Sequence, residues 1–244
     1  MNTVGEANVV DLFTSIVENS VWRHFGDARQ YLKGNLAGKA DELFADYFLG
    51  VPFSNVLIEF KDTKNDQRRE KRKSLRLDLC QNLTNQLHDF SLSCHFLGFG
   101  EEDASSLFIS LSEYVSAICP ILGGASVALK DKNNFDVYSF LSQIFNKEIG
   151  LPVLDFVTYL QFLASLPNIN SGTATDLADI DFPALHLSYS DDGKILSRPI
   201  HSLADLKIVA ELLQQYTPST PAPPGGAGSA PPSNDDNSPS MGMF

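Results

Sequence analysis

The sequence predicts a mixed α/β fold, a mixed sheet flanked by helices, with a disordered C-terminal tail. Three observations carry that expectation. Apolar residues recur at helical spacing in the stretches 6–20 and 202–216. The segments 55–61 (NVLIEFK) and 90–99 (FSLSCHFLGF) alternate in residue type, as half-buried strands do. Hydrophobic residues make up 43% of the 244, enough for a sizeable core and too many for a wholly disordered chain.

The elements follow in order. Val9, Leu12, Phe13, Ile16 and Val17 predict a helix over 6–20, and Asp27 to Leu36 reads as a second one. Leu43 to Leu49 (LFADYFL) is aromatic and apolar around Asp46. With the turn Gly50–Ser54, which contains Pro52, and the strand 55–61, it reads as a β-hairpin, with a helix over 43–49 as the alternative. Residues 65–88 predict a long helix, with Thr63 and Asp66 at capping-box spacing and Leu75, Leu79, Leu83 and Leu87 as its apolar stripe. A strand over 90–99 ends at Gly98 and Gly100.

In the second half, helices are expected over 104–119, 135–146 and 152–166, a short strand over 124–130 and a polar loop over 168–181. The segments 184–190 and 194–200 flank Asp191–Asp192–Gly193, a hairpin turn signal. Residues 202–216 form an amphipathic helix with Ser202 as N-cap. Residues 1–216 are thus expected to make one domain. From Thr217 to Phe244, Pro, Gly, Ala and Ser dominate, which predicts the disordered tail.

Composition excludes several function classes. Lys and Arg number 18 against 30 Asp and Glu, a net charge of −12, which argues against a protein that coats nucleic acid constitutively. No run of about 18 apolar residues predicts a membrane span, and Glu6, Asp11 and Glu18 make the first residues unlike a signal peptide. Cys80, Cys94 and Cys119 are odd in number and form no C-x-x-C pair, so free buried thiols and a cytoplasmic location are expected.

The stretch from Asp46 to Phe99 carries the chemistry. Glu59 and Lys61, two apart on a strand, point to one face. Asp46 could sit beside Glu59 across the hairpin. Two converging carboxylates bind Mg²⁺ through oxygen. Such an ion polarises a phosphodiester and lowers the pKa of its water. An adjacent lysine can orient or deprotonate that water, or stabilise the developing phosphorane charge. Residues 61–76 hold eight of the 18 basic residues against three acids, a local charge of +5. On a continuous helix, Arg68, Arg72 and Arg76 would share the face of Leu75, Leu79 and Leu83. The basic half would then project beyond the core as a lip for a phosphate backbone, offering Lys64, Arg68, Arg69, Arg72, Lys73 and Arg76. The alternative is a solvated, internally paired charge run.

Asp46 and the tripeptide Glu59–Phe60–Lys61, in the order hairpin, helix, strand, resemble the PD-(D/E)xK nuclease superfamily, the restriction-endonuclease-like fold. The resemblance spans residues 37–100. It implies a metal-dependent nuclease acting on DNA, with Asp46 and Glu59 as Mg²⁺ ligands and catalytic residues, Lys61 as the catalytic lysine, and an added acid on a preceding helix, for which Glu18 and Glu42 are candidates. A non-catalytic interaction or adaptor module, including a nuclease fold that has lost catalysis, is the alternative. Asp235 and Asp236 with the terminal Phe244 resemble in style the tails of bacterial single-stranded-DNA-binding proteins, which implies a protein partner for the tail. His88 and His95 match no metal-ligand spacing and are expected to be structural.

Overall fold

The computed structural model describes residues 5–26, 30–103, 106–123, 133–168, 177–189 and 194–215. Its centre is an eight-stranded mixed sheet in the order β6-β5-β4-β3-β2-β1-β7-β8. The strands are β1 (Gln30–Asn35), β2 (Tyr47–Val51), β3 (Ser54–Lys61), β4 (His95–Glu102), β5 (Leu107–Glu113), β6 (Asn134–Asp136), β7 (Asp181–Tyr189) and β8 (Ile195–Ser202). Neighbours are antiparallel except β3 and β4, which run parallel from Leu57↔His95 to Lys61↔Phe99. A parallel pair needs a long crossover, and the basic segment and the helices after it supply one.

Both faces of the sheet are covered. On one lie α1 (Glu6–Phe25) and α6 (Val137–Phe145), whose Val9, Phe13, Val17, Phe140 and Ile144 pack on Tyr47, Ile58, Phe60 and Phe96. On the other lie α3 (Ser74–Asn82), α4 (Asn85–Cys94), α5 (Tyr114–Leu122), α7 (Val153–Ser165) and α8 (Leu203–Gln215), packed on Phe48, Leu57, Leu97 and Phe182. A short α2 (Lys39–Leu43) precedes β2. The predicted α/β class, a mixed sheet flanked by helices, is the one observed.

The hairpin forms as expected: β2 and β3 pair from Tyr47↔Ile58 to Val51↔Ser54, and Pro52 and Phe53 make the turn. Phe53 takes φ 72°, a conformation that usually asks for glycine, and the Lys147 ammonium lies 4.2 Å from its ring centroid. The strands either side of the second hairpin also pair, Tyr189 with Ile195, and Asp205 N–H donates to Ser202 Oγ at 3.2 Å, bearing out the cap on α8. The expected polar loop 168–181 holds a 3-10 turn, Leu177–Asp179, and runs into β7.

Five expectations about elements are corrected. Of the helix expected over 27–36, the described residues 30–35 are strand β1, paired on both edges with β2 and β7. Gly34 lets β7 approach, since a Cβ there would come within 2.7 Å of Pro183 O. The helix expected over 104–119 is strand β5 followed by α5, because residues 107–113 lie between β4 and β6 and complete their ladders. In the stretch 135–146, β6 comes first and Asp136 caps α6 through its side chain.

The long helix expected over 65–88 is three helices: a 3-10 helix Lys64–Arg72, then α3, then α4. Lys73 is extended at the first break, and Thr84 caps α4 after the second. Helix α4 runs on to Cys94, so the strand expected from 90 begins only at His95.

Cysteine usage is corrected too. Cys80 on α3 and Cys119 on α5 are disulfide-bonded, with their Cα atoms 5.5 Å apart, while Cys94 is free and buried. The thiols therefore no longer argue for a reducing compartment. No helix among the described residues is long and apolar enough to cross a membrane. The strand expected over 124–130, the turn 191–193 and the tail 217–244 lie outside the described residues.

Candidate metal centre

The centre lies where β2 begins and β3 ends. Continuing the hairpin register one step beyond Tyr47↔Ile58 sets Asp46 opposite Glu59. The backbone fixes that contact, for Phe60 N–H donates to Asp46 Oδ2 at 2.5 Å. Along β3 the side chains alternate. Phe60 turns to the α1 face, its ring 5.2 Å from that of Phe13, while Glu59 and Lys61 turn to the other. Gly98, beside Phe60 on β4, makes room for the ring, since a Cβ there would meet it at 2.7 Å.

Helix α2 adds Asp41. The carboxylate oxygens of Asp41, Asp46 and Glu59 lie within 4.8 Å of one another. Glu59 is fully buried, whereas the Asp41 and Asp46 side chains retain 35% and 17% of their exposure, so the cluster opens to solvent on the aspartate side. Asp41 Oδ1 is shielded from solvent yet accepts no hydrogen bond. An oxygen without a hydrogen bond, 3.8 Å from the Lys73 ammonium and with two further hard oxygen donors beside it, could hold a small divalent cation.

Three cations converge on Glu59. Lys61 Nζ bonds its Oε1 and also donates to Phe60 O at 2.6 Å. Lys73 Nζ lies 2.7 Å from the same Oε1, and Arg76 lies 3.4 Å from Oε2. A second buried carboxylate, Glu70, stands behind them, 3.4 Å from Lys61, 3.7 Å from Lys73 and 3.4 Å from Arg76 Nε. Glu70 also accepts the Tyr114 hydroxyl at 2.6 Å. His95 stacks on Tyr114 at 4.2 Å and joins Tyr159 at 3.0 Å, and the Tyr159 hydroxyl donates to Ser91. The centre therefore has a buried polar wall contributed by α3, α4, α5, α7 and β4.

The electrostatics separate the two carboxyls of the hairpin. Burial, and then the Glu59 charge, push the Asp46 carboxyl up to about 8, against Lys61 and the Phe60 N–H. Burial would raise Glu59 also, but Arg76, Lys61 and Lys73 overcome it and hold Glu59 down at about 2. Like charges so close do not both ionise readily, and the cations decide which one does. Lys61 is raised above the ordinary lysine range: burial lowers it, but Glu59, Asp46 and Glu70 outweigh that, so it stays an ammonium.

The structure brings Asp46, Glu59 and Lys61 together as the spacing implied. It corrects the basic lip. Arg76 is wholly buried and cannot touch a phosphate backbone, and Lys73 turns inward to Glu59 with 32% of its side chain exposed. The reason is the break at Lys73. A 3-10 helix advances three residues per turn, so the face shared by Arg68, Arg72 and Arg76 on a continuous α-helix does not exist. Lys64, Arg68, Arg69 and Arg72 are exposed, with Lys71 among them. Arg69 is held by Asp66 at 2.9 Å.

Neither acid suggested for the preceding helices reaches the centre. Glu18 pairs with Lys33 at 2.6 Å, and Glu42 is exposed. Glu6, at the start of α1, lies 3.9 Å from Lys61, and burial, partly opposed by Lys61, raises its carboxyl. Asp41, Glu6 and Glu70 belong to no spacing motif around E-x-K, so no signal in the sequence marked them. Comparison with protein-family models, with curated proteins and with solved structures finds no match for this chain.

Proposed function

We propose that this chain is a metal-dependent nuclease acting on DNA phosphodiesters, built on a restriction-endonuclease-like core, with Asp46 and Glu59 as Mg²⁺ ligands. One observation carries the reading: the convergence of Asp41, Asp46 and Glu59 within 4.8 Å beside the Lys61 ammonium. The order hairpin, crossover helices, parallel strand supports the same reading. A bound Mg²⁺ supplies a polarised phosphoryl oxygen and a more acidic water. Asp41, Asp46 and Glu59 are the residues that would hold the ion. Lys61 remains protonated among carboxylates, so its part is to stabilise charge on the phosphoryl oxygens rather than to take a proton. The exposed Lys64, Arg68 and Arg72 are the groups that would contact the DNA backbone.

The test is cleavage of DNA in Mg²⁺ or Mn²⁺. Asp46→Asn, which keeps shape and removes a carboxylate ligand, lowers the rate at least about a hundredfold, and Lys61→Ala lowers it similarly. A wild-type chain that cleaves no form of DNA and binds neither ion removes the proposal.

The second reading is a non-catalytic adaptor on a nuclease-like fold, meeting a protein partner. It is favoured by the saturation of Glu59, whose oxygens are both engaged by the chain's own cations. Ion binding without cleavage would select it.

A further inference from the structure

Three cations touch Glu59, and they are not held alike. Arg76 is fully buried, reaches Leu43 O and Glu59 at 3.4 Å each, and lies 5.5 Å from the Tyr114 ring centroid. Lys61 is nearly buried and tied to the backbone at Phe60 O. Both are parts of the wall. The Lys73 ammonium has no such anchor among the described residues. It extends from the break between the 3-10 helix and α3, and its neighbours are carboxylates: Glu59 Oε1 at 2.7 Å, Glu70 Oε1 at 3.7 Å and Asp41 Oδ1 at 3.8 Å. It therefore reaches two of the three candidate ligands at once. One of those oxygens is the buried Asp41 Oδ1 that accepts no hydrogen bond.

A divalent ion bound to oxygens at about 2.0–2.6 Å and an ammonium on the same oxygens would be cations in near contact. The contest is over Asp41: Lys61 also sits on Glu59 Oε1 and lies 3.9 Å from Asp46 Oδ2, but among the described residues only Lys73 pairs with Asp41, so an ion that takes Asp41 Oδ1 and the Lys73 ammonium exclude one another. Lys73, one-third exposed, is the one of the three that can leave without breaking the wall.

We propose that Lys73 is a tethered counter-ion of the metal centre, holding Asp41 and Glu59 together without an ion and displaced by the divalent cation that binds there. This rests on the metal-centre reading and adds a residue that sets the ion affinity of the site. A cation that must displace an ammonium binds more weakly than one that meets free carboxylates, so removing the Lys73 charge tightens binding.

The experiment is calorimetric titration of the full chain with MnCl₂. Lys73→Gln keeps the length and removes the charge, Lys73→Met gives a second neutral variant, and Lys73→Arg keeps the charge. The expected result is a Kd for Mn²⁺ at least about tenfold lower in both neutral variants than in the wild type, with Lys73→Arg close to the wild type. Asp46→Asn added to Lys73→Gln should abolish the gain, placing it at this centre. Thermal melting establishes that each variant is folded. Equal or weaker Mn²⁺ binding in the folded neutral variants overturns the role of Lys73 while leaving the metal centre standing. Absence of Mn²⁺ binding in the wild type and in every variant overturns both.

Discussion

A single buried histidine measures how dry the wall behind the centre is. His95 lies between Tyr114 and Tyr159 with no exposure. Burial, and then the Arg76 charge, depress it to about 3. The folded protein thus keeps His95 neutral where the unfolded chain, near the ordinary value of about 6.5, protonates it. Stability from this group is fully present above about pH 6.5 and is lost as pH falls towards about 3, each unit of the depression being worth about 1.4 kcal/mol. Urea unfolding from about pH 7.5 down to about pH 4.5 should show that loss, and His95→Gln should flatten the slope. An unchanged slope would place the acid sensitivity elsewhere. Glu59 shows the opposite outcome of burial, because three cations close to it outweigh the desolvation of one carboxylate.

At the scale of elements, the centre depends on two joints. The β2–β3 hairpin sets Asp46 against Glu59 through its register. A slip of one residue would turn Glu59 to the α1 face, among the apolar cluster of Phe13 and Tyr47 and away from Arg76. The second joint is the packing of α3 on α5. Arg76 and Cys80 are four apart on α3, hence on one side of it. Both meet α5, Arg76 at Tyr114 and Cys80 at Cys119. The disulfide closes a loop of sequence separation 39, which predicts a loss of about 2–4 kcal/mol in the double variant Cys80→Ala, Cys119→Ala. Urea denaturation measures the loss, and thiol titration of the unfolded chain should count one free thiol in the wild type. A count of three would show that the bond does not form.

For the molecule as a whole, charge is segregated rather than averaged. A chain of net −12 presents exposed Lys64, Arg68, Lys71 and Arg72 on one 3-10 segment. If that segment meets DNA, replacing Arg68, Lys71 and Arg72 by Gln should weaken binding and reduce the slope of log K against log salt by about 0.9 for each phosphate that is no longer neutralised. The melting temperature should stay nearly constant, because these side chains are exposed. Binding and slope equal to the wild type would exclude the segment as the interface. Arg76 has no place in that set, since its charge is engaged inside the protein by Glu59 and Glu70.

Local pattern along the chain was enough for the α/β class and the hairpin around Pro52, and it put Asp46 within reach of Glu59 and Lys61. Those features rest on short-range rules: period-two alternation, a turn residue, and carboxylates thirteen positions apart across a tight turn. It also pointed to helices over 6–20, 152–166 and 202–216, where apolar spacing is long and regular. Tertiary structure alone decided the rest. Residues 30–35 and 107–113 become strands because the sheet offers them partners on both sides, and no local pattern records that. The basic stretch breaks at Lys73, and Arg76 beyond the break pairs with both buried carboxylates, Glu59 and Glu70, a balance of charges contributed by separate elements. For the same reason Asp41, Glu6 and Glu70 were not marked in the sequence. What joins them to the centre is distance through space in a poorly solvated interior, where electrostatic interactions are strong and spacing along the chain carries no information about them.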